Sequence, residues 1–155
     1  MKFFASIATA CLLLSVVRAD SNKPNYKPKI RVCDGDRSND LFRIDSLSST
    51  DAVAGQGVTL TVKGELKAEI SDTAYIDFDA TLGGFGVNQK FNLCKALGDN
   101  KCPVHAGSQT LNLHFDIPPI AAGATGVTIV GKAMKDASTV FFCIQGKTNV
   151  KPSSA

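Results

Sequence analysis

The 155-residue chain has no long apolar run after its N-terminus, no helical apolar stripe, no strong excess of either charge and no short catalytic signature. Without a second run of bilayer length, the processed chain is expected to be soluble. Without an apolar stripe at helical spacing beyond two turns, a helix bundle is excluded. No Cys-x-x-Cys pair occurs, and His105 and His114 are the only histidines, which leaves little to build a zinc site. No Gly-x-Ser-x-Gly elbow is present. The glycine cluster Gly83-Gly84-Phe85-Gly86 lacks the Lys and Ser/Thr of a phosphate loop and opens no helix, so it reads as a turn. No Asn-x-Ser/Thr sequon exists, so N-glycans are not expected.

What is present begins with a leader. Lys2 supplies a positive start, Phe3 to Val17 form an apolar stretch too short for a membrane span, and Val17-Arg18-Ala19 predicts cleavage after Ala19. Removing residues 1–19 from the 155 leaves 136, enough for one domain. The loss of Lys2 and Arg18 from 17 basic residues leaves 15 against 14 acidic ones, a net charge of +1. That balance argues against a nucleic-acid partner. Residues 20–29 read as an extended arm, because Pro24 and Pro28 interrupt a lysine-rich stretch that runs to Arg31. The plain reading of the stretch is a solvated tail; the sharper one is contact with anionic lipid headgroups. Residues 30–150 form the expected domain, and 151–155 a flexible tail.

Cys11 leaves with the leader, so four cysteines remain. An even count in a secreted chain favours disulfides over metal ligands or reactive thiols. Four cysteines allow three pairings, and spacing alone does not choose among them. The preferred set is Cys94–Cys102 with Cys33–Cys143, worth about 2.6 and 4.8 kcal/mol in the chain-entropy account.

Strand periodicity dominates the rest. From Val58 to Ile70, Val58, Leu60, Val62, Leu66, Ala68 and Ile70 share one parity, and Thr59, Thr61, Lys63, Glu65, Lys67 and Glu69 the other. Gly64 interrupts the apolar face and predicts a bend or bulge. Ala74–Leu82 repeats the alternation with Ile76, Phe78, Ala80 and Leu82 inward, and Leu111–Ile117 does so again. Val87–Cys94 predicts a fourth strand with Val87, Phe91 and Leu93 inward. Strands near Phe42–Ile44, Val127–Ala133 and Thr139–Ile144 bring the number to seven. Short Gly/Pro or polar segments between them, among them Asp51–Gly57 and Pro118–Ala124, predict an all-β antiparallel sandwich.

Few residues offer chemistry. His105 and His114 have no nucleophile in a recognisable motif and read as surface histidines. Asp77 and Asp79 share a strand face about 7 Å apart. A paired-carboxylate hydrolase usually takes its acids from different strands of a cleft, so these read as solvated. No enzyme activity and no cofactor or metal is expected. The remaining candidates are the inward apolar side chains, which serve a packed core or a ligand cavity equally well by periodicity.

The full arrangement resembles a known family. Cys33 is followed by a long alternating strand, then Cys94-x7-Cys102-Pro103-Val104-x-x-Gly107, then Leu111–Ile117 with Pro118-Pro119, and a last strand carrying Cys143 after aromatic residues. This resembles the ML lipid-recognition domain, particularly Niemann-Pick type C2-like and fungal phosphatidylglycerol/phosphatidylinositol transfer proteins, over Ile30 to about Val150. Some sterol-binding members carry a third, early disulfide that this chain lacks. The phospholipid branch is nearer, through Cys102-Pro103-Val104-His105-Ala106-Gly107 and the Pro-Pro step.

The resemblance implies an immunoglobulin-like β-sandwich with an apolar cavity between its sheets, and the disulfides Cys33–Cys143 and Cys94–Cys102. The bridges are expected to hold the two layers apart. The implied cavity wall is Val62, Leu66, Ile76, Phe78, Phe91, Leu93, Phe115, Ile117, Ile129 and Phe142, and the implied mouth is Phe85, Val87 and Val104. The implied activity is non-enzymatic uptake of phospholipid or sterol and its transfer between membranes by a monomer through transient membrane-surface contact. The implied location is extracellular, or a vacuolar or lysosomal lumen. A different reading is a secreted recognition or effector module that binds a protein or glycolipid through its outer faces.

Overall fold

The computed structural model describes residues 24–154. The expected leader, residues 1–19, lies outside the described residues, as do residues 20–23 of the arm and Ala155. Eight antiparallel strands follow: β1 Lys29–Val32, β2 Phe42–Ser49, β3 Val58–Leu66, β4 Tyr75–Leu82, β5 Phe85–Asn92, β6 Gly107–Phe115, β7 Val127–Met134 and β8 Val140–Thr148. One sheet has the order β1-β8-β7-β4-β5 and the other β2-β3-β6. The all-β two-layer sandwich expected from alternation is the architecture found.

Inner faces follow strand parity. Leu60, Val62 and Leu66 of β3 point at Ile76 and Phe78 of β4 and at Ala133 and Phe142 of their neighbours, in one continuous core. Phe42, Phe141, Leu66, Ile70, Leu93 and Leu113 are its largest fully buried side chains. Each such burial contributes roughly 1.5–3 kcal/mol relative to exposure. Gly64 marks an irregularity, as expected. It pairs with Ile44, and the register of β2 shifts between Ile44 and Ser46. A Cβ on Gly64 would sit 1.9 Å from the Arg43 carbonyl oxygen, so the backbones meet where only hydrogen fits.

Four expectations are corrected. Lys151 is no part of a free tail, because its amide donates to Ala52 O and its carbonyl accepts from Ala54 N. Lys29–Val32 is a strand rather than the end of the arm, because pairing with β8 occupies its backbone groups. Val58–Ile70 does not run on as one strand: β3 stops at Leu66, and Ile70 makes a separate bridge to Val104. Leu93 and Cys94 belong to a short helix, α1 Leu93–Leu97, rather than to the fourth strand. Asn92 caps it by accepting a 3.0 Å hydrogen bond from the Lys95 backbone amide, and Gly98 ends it at φ 102°.

Both preferred disulfides form, with Cα separations of 5.3 Å for Cys33–Cys143 and 5.7 Å for Cys94–Cys102. Their role differs from the expected one. Cys33 follows β1 and Cys143 lies in β8, neighbours in the same sheet. That bridge clamps the first strand to the last and spans no gap between layers. Cys94–Cys102 closes the connection from α1 to β6. Layer spacing is therefore set by side-chain packing.

Candidate functional site

The register of the five-stranded sheet places Phe78 beside Gly131, and Gly131 beside Ile144. The absence of a side chain at Gly131 leaves a gap between layers. A void of about 20 Å³ lies there, lined by Leu60, Ile76, Phe78, Phe115, Ile129 and Phe142 among others. That is room for about one water, far below the ~300–1,000 Å³ of typical ligand pockets. Five expected wall residues line it: Ile76, Phe78, Phe115, Ile129 and Phe142.

A second space opens beside it. β5 and β6 are edge strands of their respective sheets, and neither pairs with the other. Between them runs a groove of about 650 Å³, lined by Gln89, Phe91, Asn92, Lys95 and Ala96 on one side and His114 to Pro119 on the other. Phe91, Phe115 and Ile117 of the expected wall line it. Its apolar floor and polar rim suit an amphipathic ligand.

Phe115 borders both spaces, whereas Phe78 borders only the void and Phe91 only the groove. The three rings touch one another, with centroids 6.0 Å apart for Phe78–Phe91 and Phe78–Phe115, and 6.1 Å for Phe91–Phe115. An aromatic partition thus divides the groove from the interior. It arises from parity: Phe78 and Phe115 are inward on facing sheets, and Phe91 pairs with Ile76 on the row beside Phe78.

Val62, Leu66 and Leu93 border neither space. They are fully buried in the packed core, Leu93 because α1 turns it under the sheet end. The expected mouth divides as well. Phe85 and Val87 stand on the β4–β5 hairpin and are 84% and 55% exposed. Val104 bridges Ile70 beyond the Gly107 end of β6 and packs against the core. That end is opposite the hairpin turn, because α1 and its disulfide to Cys102 follow the Asn92 end of β5.

Sequence reading missed two further exposed apolar residues, Leu82 and Ile120, the latter 93% exposed. Ile120 sits on a 3₁₀ turn, Pro119–Ala121, directly after the groove's prolines. Leu82 pairs with Phe85 across the Gly83–Gly84 turn, where both glycines have positive φ. Parity gave Leu82 an inward face, but the three-stranded sheet does not reach over the hairpin tip. The Pro-Pro step was the available signal for Ile120.

The polar groups near these spaces are bonded locally. His114 lies 3.2 Å from Thr59 Oγ1 through Nδ1 and 3.4 Å from Asp116 through Nε2, on the outer face. His105 meets Glu69 at 3.1 Å at the far end. Asn88 donates to Asp77 at 3.0 Å and Asp79 at 2.8 Å on the exposed face of the larger sheet, so these acids flank an amide. Among the described residues no group of three or more His, Cys, Asp and Glu is placed to hold a metal. The shifted acids lie away from the groove. Hydrogen bonds from Arg31 and then Gln145 hold Asp34 down at about 2. Burial pushes Asp40 up, against the opposing pull of Arg37 and Lys67.

Comparison with known proteins matches residues 27–150 to a family model described as the ML domain. The chain is 32% identical over 107 residues to a phosphatidylglycerol/phosphatidylinositol transfer protein of Candida albicans, covering 63% of this chain and 55% of that protein. It is 28% identical over 109 residues to one of Pyricularia oryzae, covering 64% and 61%. The chain thus spans 55–61% of the length of these two relatives. Among solved structures it resembles a Niemann-Pick type C2 protein from the Japanese carpenter ant, with a TM-score of 0.54 at 10% identity over 79% of this chain and 98% of that one. At that identity the likeness concerns fold.

Proposed function

Because the chain belongs to the ML-domain family, we propose that it is a secreted, non-enzymatic carrier that takes phospholipid or sterol between its sheets and moves it between membranes. The observation that carries this reading is the aromatic partition. Phe115 closes an apolar interior against a groove of about 650 Å³, within the range of ligand pockets. The interior void of about 20 Å³ is too small for an acyl chain. Uptake therefore proceeds by rotation of the Phe78, Phe91 and Phe115 rings and parting of the two layers, which joins groove to void.

The energetics favour such a path. A sixteen-carbon tail costs on the order of 13 kcal/mol to hold in water. An apolar slot offsets most of that, but a bilayer does so equally. A carrier therefore needs near-parity with the membrane, and a site that closes by weak ring contacts meets that need better than a rigid cavity. The names of the relatives favour phosphatidylglycerol or phosphatidylinositol as cargo.

Lipid extraction of purified native protein with mass spectrometry tests the reading, alongside uptake of fluorescent phospholipid from liposomes. A stoichiometric phospholipid or sterol is expected. Recovery of none together with no uptake refutes the carrier role.

A further inference from the structure

Resting on the carrier reading, we propose that the protein docks end-on against an anionic bilayer surface, with the β4–β5 hairpin tip and Ile120 entering the interface and a lysine cluster over the headgroups. Two independent features meet at one end of the sandwich.

The first feature is apolar. Leu82, Phe85, Val87 and Ile120 are the exposed large hydrophobic residues of the described chain. Three of them belong to one hairpin tip. Ile120 is brought to the same end by the hydrogen bond from Gly55 N to Ile117 O and by Gly123 N donating to Val150 O, beside the end of β8. Singly exposed apolar residues are ordinary, but a group gathered at one end marks an interaction surface.

The second feature is charge. Sheet register aligns Lys29, Lys147, Thr128, Thr81 and Gly86 in one row, next to the Leu82–Phe85 turn. Four strand spacings of ~4.8 Å put Lys29 about 19 Å from Gly86. Lys29 and Lys147 are directly opposite each other, a like-charge pair that disfavours the fold. Lys151 and Lys27 join them, because Lys151 N donates to Ala52 O while Ala52 N donates to Tyr26 O. All four lysines are exposed, and none enters an ion pair among the described residues. Asp51 and Asp116 are the opposing acids at this end, so a positive excess remains. The other end carries a slight excess of the opposite sign: Asp34, Asp36, Asp40, Glu65, Glu69, Asp72, Asp99 and Asp136 stand against Arg37, Arg43, Lys67, Lys95, Lys101 and Lys135. A molecule so polarised presents its hairpin end to a negative surface. Exposed lysines paired with exposed aromatic and aliphatic side chains fit the headgroup layer of an anionic bilayer and the acyl boundary beneath it.

The test is co-sedimentation with phosphatidylcholine vesicles with and without phosphatidylserine, at low and high salt, for the wild type, Lys29→Gln/Lys147→Gln and Phe85→Ser/Ile120→Ser. Neutralising one headgroup-facing lysine weakens partitioning about fivefold. The double lysine variant is therefore expected to bind anionic vesicles about 25-fold more weakly. The wild-type preference for anionic vesicles should shrink in high salt. The apolar variant should lose binding to both vesicle types. A parallel arm measures uptake of a fluorescent phospholipid delivered without a bilayer. Unchanged uptake by the lysine variant separates docking from cargo binding. Loss of uptake in the wild type with anionic binding intact sinks the carrier reading and leaves docking standing. Equal wild-type binding to both vesicle types, binding to neither, or a lysine variant that binds as the wild type does would overturn the proposal.

Discussion

Replacing Phe115 with alanine separates a gate from a wall. Phe115 is partly buried and contacts Phe78 and Phe91 at 6.0 and 6.1 Å. Truncation of a fully buried phenylalanine costs about 3–5 kcal/mol. With one side of the ring facing the groove, about 2–3 kcal/mol is expected, a fall in Tm of roughly 6–12 °C for a domain of this size. The same change removes two of the three ring contacts that close the interior. At about 0.5–1.5 kcal/mol per aromatic pair, opening becomes easier by about 1–3 kcal/mol. Lipid uptake should then accelerate about five- to 150-fold, even though the protein is less stable. Stopped-flow fluorescence with a lipid probe, beside a thermal melt, reads both quantities. A folded Phe115→Ala protein that takes up lipid at the wild-type rate would refute the partition as the barrier. Phe115→Asp serves as the counterpart, placing a charge on the wall, and should abolish uptake.

The disulfides should differ in weight. Cys33→Ser/Cys143→Ser removes a link across 110 residues, and is expected to lower stability by up to ~4.8 kcal/mol against ~2.6 for Cys94→Ser/Cys102→Ser across 8, measured by urea unfolding. Gly64→Ala should destabilise by about 3 kcal/mol or prevent folding, since its methyl group would overlap the Arg43 carbonyl; yield and melting temperature check this. Acid should expose the lowered carboxylates. Asp34, Asp36 and Asp136 all have folded values below the ordinary one, so their contribution is present above about pH 4 and is lost as pH falls towards 2. Asp40 has the opposite sign: its folded value is raised, so ionisation costs stability as pH climbs through that value. Asp40→Asn should therefore raise the melting temperature at neutral pH and lose its advantage in acid.

The sheets were legible because alternation is written directly into β3, β4, β6 and β7. Strand β1 was hidden: Lys29-Ile30-Arg31-Val32 follows two prolines, and only distant pairing with β8 makes it a strand. Helix α1 had a readable signal, Asn92 before Leu93–Leu97 and Gly98 after, but the apolar alternation of Phe91 and Leu93 ran through it. Inward parity accounts for the contact among Phe78, Phe91 and Phe115. It could not tell packed positions from lining ones. Val62 and Phe78 share an inward parity, yet only Phe78 meets the gap left by Gly131. Nor could it place Val104 away from Phe85 and Val87, because sheet parity says nothing about which end of a sandwich a loop residue occupies.

Neither sulfur bridge acts as a strut across the sandwich. The distance between the layers is thus a compliant quantity, governed by the yielding of Phe and Leu contacts. If the proposed carrier role holds, a clasp of this kind would adjust to cargo of different girth, gripping one tail or two with the same side chains. On the same reading, discrimination between lipids would fall to the polar rim along Gln89, Lys95 and Asp116 rather than to the apolar floor.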